Sequence, residues 1–133
     1  MAERRAARKQ TATGRLDPDG TYTAEDLVVA TDRDLPWSDA RELDPELPAR
    51  EIVYRIVRRR GPMGLAALAR EVAAAVPAAE RAPYVGDPVL FTVRLIIGQR
   101  GELPALADFA SAVRLAAQLD GPDPDYGLVL LPA

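Results

Sequence analysis

The chain contains no cysteine, no histidine and no asparagine, and it has one lysine and two serines. Without cysteine there is no disulfide, no thiolate nucleophile and no test of redox compartment. Without histidine there is no imidazole to act as general base or metal ligand. Ser38 and Ser111 are the only serines, and neither stands in a nucleophile-elbow context. No apolar run reaches the 18 residues or so of a membrane-spanning helix, and the first ten residues have no apolar core of a secretory signal. These absences lead us to expect a cytoplasmic, non-catalytic protein with no cofactor and no metal.

What is present is ordinary for a globular domain. Of 133 residues, 48% are hydrophobic and 28% charged, a length that suits one domain. Sixteen arginines against one lysine, with alanine the commonest residue, read as a GC-rich bacterial coding bias and carry no mechanism. The net charge is -3, which does not suit a whole-domain nucleic-acid footprint. The charge is segregated. Residues 1–15 hold five basic side chains and one acidic, whereas residues 16–50 hold three basic and ten acidic. A basic arm ahead of an acidic segment can fold back on it or reach a separate partner.

The patterning sharpens along the chain. Residues 1–14 read as a basic arm, and 15–47 as an acidic, proline-containing connector. Asp17-Pro18-Asp19-Gly20 is a turn signal. Thr23 and Asp26 form a capping-box pattern before Leu27, Val28 and Val29, a stretch that suits a short helix or a strand. A further short helix is expected after Ser38. Residues 48–133 read as a helical core domain. Ile52, Val53, Ile56 and Val57 share a helical face, with Arg58, Arg59 and Arg60 at its negative end and Gly61 as cap. Leu65, Leu68, Ala69, Val72 and Val76 repeat the spacing until Pro77. Asp87-Pro88 looks like a cap with proline in the first turn. The following Val89 to Ile97 is apolar on most sides, so a buried strand competes with a helix there. Leu106, Phe109, Ala110, Val113 and Ala117 mark a last helix closed by Gly121-Pro122, and Gly127 to Leu131 is a candidate strand.

The expected fold is therefore mainly α. Two helical hairpins, over about 48–76 and 87–120, pack as a small bundle beside a short irregular or β-containing N-terminal segment and a C-terminal strand. Ile52, Ile56, Phe91, Ile96 and Phe109 should supply most of the burial energy, roughly 1.5–3 kcal/mol each. Val53, Ile56, Arg60 and Gly61 match Val93, Ile96, Arg100 and Gly101 at a shift of 40, which hints at an internal duplication.

Three constellations invite a functional reading. Asp17, Asp19, Gly20 and Asp26 fit part of a calcium loop, but Arg15 occupies its first ligand position, so a turn followed by a cap is the simpler account. Residues 51–76 resemble the opening of a helix-turn-helix domain, with Arg58–Arg60, Gly61-Pro62, Leu65, Leu68 and Ala69 in place. That resemblance implies a DNA-binding regulator whose basic arm and Arg58–Arg60 contact nucleic acid. It departs from the pattern where residues 77–86 intervene before the next helix, and that helix offers only Arg94 and Arg100 to DNA. Arg58–Arg60 also serve as simple partners of a helix dipole. The third is Leu35 and Trp37 in the acidic connector, an aromatic anchor for a partner or a cover for the chain's own core. The leading expectation is an interaction protein, an adaptor, assembly or regulatory subunit. It would work through a protein partner or as a homo-oligomer, without a membrane, with Leu35, Trp37, Arg58, Arg59 and Arg60 as partner-binding residues.

Overall fold

The computed structural model describes residues 14–35, 46–119 and 121–133. In chain order the elements are β1 (Leu27–Thr31), α1 (Ala49–Arg60), β2 (Met63–Gly64), α2 (Leu65–Ala75), α3 (Ala78–Arg81), α4 (Pro88–Ile97), α5 (Phe109–Gln118) and β3 (Leu128–Pro132). The fold is mainly helical, with a three-stranded antiparallel sheet in the order β2, β1, β3.

The capping box at Thr23 forms as the sequence suggests, with the Thr23 N–H donating to the Asp26 carboxylate at 2.8 Å. It starts only one 3-10 turn, Ala24–Asp26. The β-branched run behind it then extends as β1, burying Leu27 and Val29 and leaving Val28 and Ala30 half-exposed. Asp17 Oδ1 accepts from the Asp19 N–H at 2.9 Å and the Asp17 carbonyl accepts from the Gly20 N–H. Asp17 and Asp26 are thus engaged in a turn and a cap.

Four of the five helices among the described residues follow the sequence reading, and so does the C-terminal strand. α1 buries Ile52, Val53, Tyr54, Ile56 and Val57. α2 buries Leu65, Leu68, Ala69 and Val72. The segment from Pro88 to Ile97 is a helix, capped by the Asp87 side chain on the Leu90 N–H at 3.1 Å. α5 starts later than expected, because Asp108 caps it at Ser111 and a 3-10 turn, Leu103–Leu106, precedes it. α3 was not anticipated.

The bundle expectation changes more. The Gly61 to Gly64 turn between α1 and α2 contains β2, whose Met63 and Gly64 pair with Val29 and Val28. β3 comes back from the far end of the chain to pair with β1 along its whole length. α4 is the central helix, packed against α1, α2, α5 and β3 together. Ile52, Ile56, Phe91 and Ile96 are buried as expected, whereas Phe109 is only half-buried at the core margin. The suggested duplication does not extend to the caps. α1 ends on Gly61, but α4 ends on Gly98 rather than near Gly101. The expected arm over residues 1–13 and the helix after Ser38 lie outside the described residues.

Gly61 has φ +80° and ψ -174°, a backbone conformation that essentially only glycine adopts, and a Cβ there would meet open space. Gly61→Ala should therefore cost about 1–3 kcal/mol through backbone strain alone. Urea unfolding would show a lower midpoint with an unchanged slope, and an unaltered midpoint would refute the strain argument.

Candidate functional site

Two features stand out near the C-terminal strand. One is a buried ion pair that sets the strand's position. The other is an apolar cleft beside it.

The ion pair joins Arg50, in the first turn of α1, to Asp123, in the loop before β3. Asp123 is 2% exposed and Arg50 18%. The Arg50 Nη2 is fully buried against the Asp123 carboxylate, which also accepts from the Asp125 and Tyr126 N–H groups at 3.2 and 2.7 Å. Arg50 Nε donates to the Leu95 carbonyl of α4 at 2.8 Å, and Nη1 reaches Asp125 at 3.3 Å. The guanidinium lies over the Tyr126 ring, 5.1 Å from its centre, and that ring packs against Tyr54. One side chain therefore ties together the start of α1, the end of α4 and the loop leading into β3. Gly98 makes room for it, since a Cβ there would lie 2.7 Å from the guanidinium carbon. Burial works to raise the Asp123 pKa, but the Arg50 bond and the two backbone donors outweigh it, so the carboxyl sits below its ordinary range. Burial together with the nearby Glu51 raises the Tyr126 pKa.

Arg100 performs a parallel role at the end of α4. Its donors reach the carbonyls of Ile97 and Ile96, and that of Gly121 at 2.9 Å. Burial lowers its pKa, with Asp123 opposing and Arg50 adding to the effect.

The cleft has a volume of about 430 Å³, within the range of small-ligand and peptide-side-chain pockets. Ile96 and Ile97 of α4 lie between β3 and the Ala116 and Ala117 side of α5. Gly14, Arg15 and Leu16 form part of the rim, where Arg15 donates to the Leu119 carbonyl at 3.3 Å. Among the described residues Asp32 is the single carboxylate in the lining, against two guanidiniums, Arg15 and Arg100. Small alanines on the helix wall and a strand on the other leave the gap open.

The residues expected to bind a partner are dispersed. Leu35 is half-buried, and its N–H donates to the Tyr54 hydroxyl at 3.0 Å, strapping residues 33–35 to α1. Trp37 lies outside the described residues. Arg58 pairs with Asp34 and Arg60 with Glu71, both at 3.1 Å, so two of the three arginines hold neighbouring segments. Arg59 is exposed. None of the three lines the cleft. In the helix-turn-helix comparison, α4 would be the reading helix, yet six of its ten residues are buried. Its Arg94 lies 4.6 Å from the Tyr84 ring centre and donates to the Leu106 carbonyl. Sequence reasoning missed Arg50, Asp123 and the cleft. Asp123 stood in a Pro-Asp-Pro-Asp stretch that reads as a turn, and Arg50 carried no local signal.

No family model, curated protein or solved structure matches the chain.

Removing the Asp123 charge would leave Arg50 buried with its neighbours only partly matched. Asp123→Asn should cost about 3 kcal/mol at neutral pH, at the lower end for a broken buried pair because Asp125 remains. Because the folded Asp123 pKa is depressed, its contribution is present above the unfolded value of about 3.9 and disappears as pH falls through the folded pKa. Urea titrations of both proteins should show their stability gap closing below about pH 4. A gap that stays constant into strong acid would contradict the assignment.

Proposed function

We propose that the protein is a non-catalytic interaction module that receives a partner protein in the cleft between β3 and α5. The observation that carries this reading is the cleft itself. It is an apolar gap lined by residues 30–32 and 129–131 of the two paired strands on one side, alanines on the other and unequal charge at the rim. Such a composition suits capture of an apolar group more than chemistry. Two-carboxylate catalysis needs a second acid facing the first, and among the described residues the lining supplies Asp32. On this reading Leu130, Ala116 and Arg15 meet the partner, while Leu35 and Arg58–Arg60 lie outside the cleft lining. A helix-turn-helix regulator has less support, because α4 is largely buried and Arg58 and Arg60 are paired within the fold.

A photo-crosslinking residue placed at Ala116 reports on the cleft, and one at exposed Ala74 on α2 serves as control. In extract of the native host, the first should give a discrete protein adduct that persists in moderate salt, and the second should not. Equal labelling at both positions, or none at either, would overturn the proposal. Duplex DNA binding that weakens steeply with salt and with Arg58→Ala plus Arg59→Ala would instead favour the regulator.

A further inference from the structure

The backbone of β3 says what kind of partner segment fits. Two bonds bracket the β1–β3 ladder: the Asp32 N–H donates to the Gly127 carbonyl at 3.2 Å, and the Ala133 N–H to the Asp26 carbonyl at 2.8 Å. In an antiparallel ladder, bonded pairs recur every second residue. With Ala30 opposite Val129 and Val28 opposite Leu131, those pairs carry the bonds. The N–H and C=O of Leu128, Leu130 and Pro132 therefore point away from β1. The Leu128 carbonyl is taken by the Asp123 N–H at 2.9 Å, and proline has no N–H. The Leu128 N–H, the Leu130 N–H and C=O and the Pro132 C=O remain with no backbone partner among the described residues, and of these three residues Leu130, 6% exposed, lines the cleft. β3 also carries no charged residue, one of the usual devices that discourage edge pairing.

Charge selects among occupants. Residues 1–13 carry four basic side chains and one acidic, and they join the rim at Gly14 beside Arg15, with Arg100 also in the lining. The chain's own arm would bring more positive charge to that rim. A second copy paired edge to edge would bring both rims and both arms together.

We propose that the occupant is an extended segment of a partner protein that adds as a fourth strand at Leu130. Its alternate side chains are apolar and enter the cleft, and acidic residues flank it. This inference rests on the reading of the cleft as a partner site. It adds the conformation and chemistry of the segment.

The test uses the full chain and a short fluorescein-labelled peptide, an aspartate run followed by alternating valine and threonine, followed by anisotropy. Saturable binding is expected. Methylating the central backbone nitrogens of the peptide should weaken it about tenfold, as should replacing the aspartates by lysines. Arg15→Glu, at an exposed site, should narrow or reverse the preference for aspartate over lysine. Ala116→Trp should abolish binding while the melting curve stays cooperative. If that variant does not fold, the methylated peptide on the unmodified protein still decides the matter. Equal affinity for methylated and parent peptides overturns strand addition. So does a gain of about tenfold on deleting residues 2–13, which would make the arm the occupant. A concentration-dependent dimer dispersed by the peptide would assign the edge to a second copy and also overturns it. An Ala116 adduct without peptide binding would defeat this inference alone, whereas loss of both would defeat the partner reading as well.

Discussion

The contact between Arg50 and Asp123 holds the start of α1, the end of α4 and the loop before β3 in place. It joins residues 50 and 123, far apart in the chain, and Arg50 is the cation paired with the 2% exposed Asp123. Taking both ions out of water is costly, and the attraction between them offsets this only when the remaining donors and acceptors are matched. Here they nearly all are. The carboxylate receives the Asp125 and Tyr126 N–H groups, and the guanidinium reaches the Leu95 carbonyl and Asp125. Such a pair adds little net stability over an apolar substitute, but it specifies one geometry. It sets where the loop of residues 121–127 ends and therefore where β3 begins. Gly127, with φ +66°, then turns the chain into the strand.

The open edge follows from this arrangement. β3 is anchored through β1 on one side and through the Asp123 loop at its start. Its residues 129–131 line the gap in front of α5, together with residues 30–32 of β1. α4 contributes Ile96 and Ile97 to the lining of the gap. Arg100 and Arg15 each donate to carbonyls near the ends of α4 and α5, respectively, so the cationic rim is built from the same contacts that finish those helices. Packing contacts and the cleft lining therefore share residues. That sharing explains why the cleft is shaped by small residues and backbone rather than by a cluster of reactive side chains.

How much of this the sequence disclosed follows from the range of each interaction. Helical periodicity is local, so α1, α2 and α4 were legible from the spacing of Ile52, Val53, Ile56, Leu65, Leu68, Val93 and Ile96. Caps are local too, and Asp87-Pro88 marked the start of α4 correctly. β2 is two residues long and too short to show alternation, so it read as a turn. The helix-or-strand ambiguity at Leu27 to Val29 was settled by β3, a partner a hundred residues away that no local pattern reveals. The same remoteness hid Arg50 and Asp123. The three arginines at the end of α1 were conspicuous because they are adjacent, yet Arg58 and Arg60 hold neighbouring segments. The open edge depends on the parity of the β1–β3 register, which sequence alone does not supply.

The central claim is that the backbone N–H and C=O of Leu130 point away from β1 without a partner among the described residues, while those of its neighbours are locked into the ladder. Amide hydrogen exchange of the free protein, followed residue by residue by NMR, tests it directly. The account predicts slow exchange at Val129 and Leu131 and fast exchange at Leu130 between them. Protection at Leu130 as strong as that of its two neighbours would show that the edge is already covered.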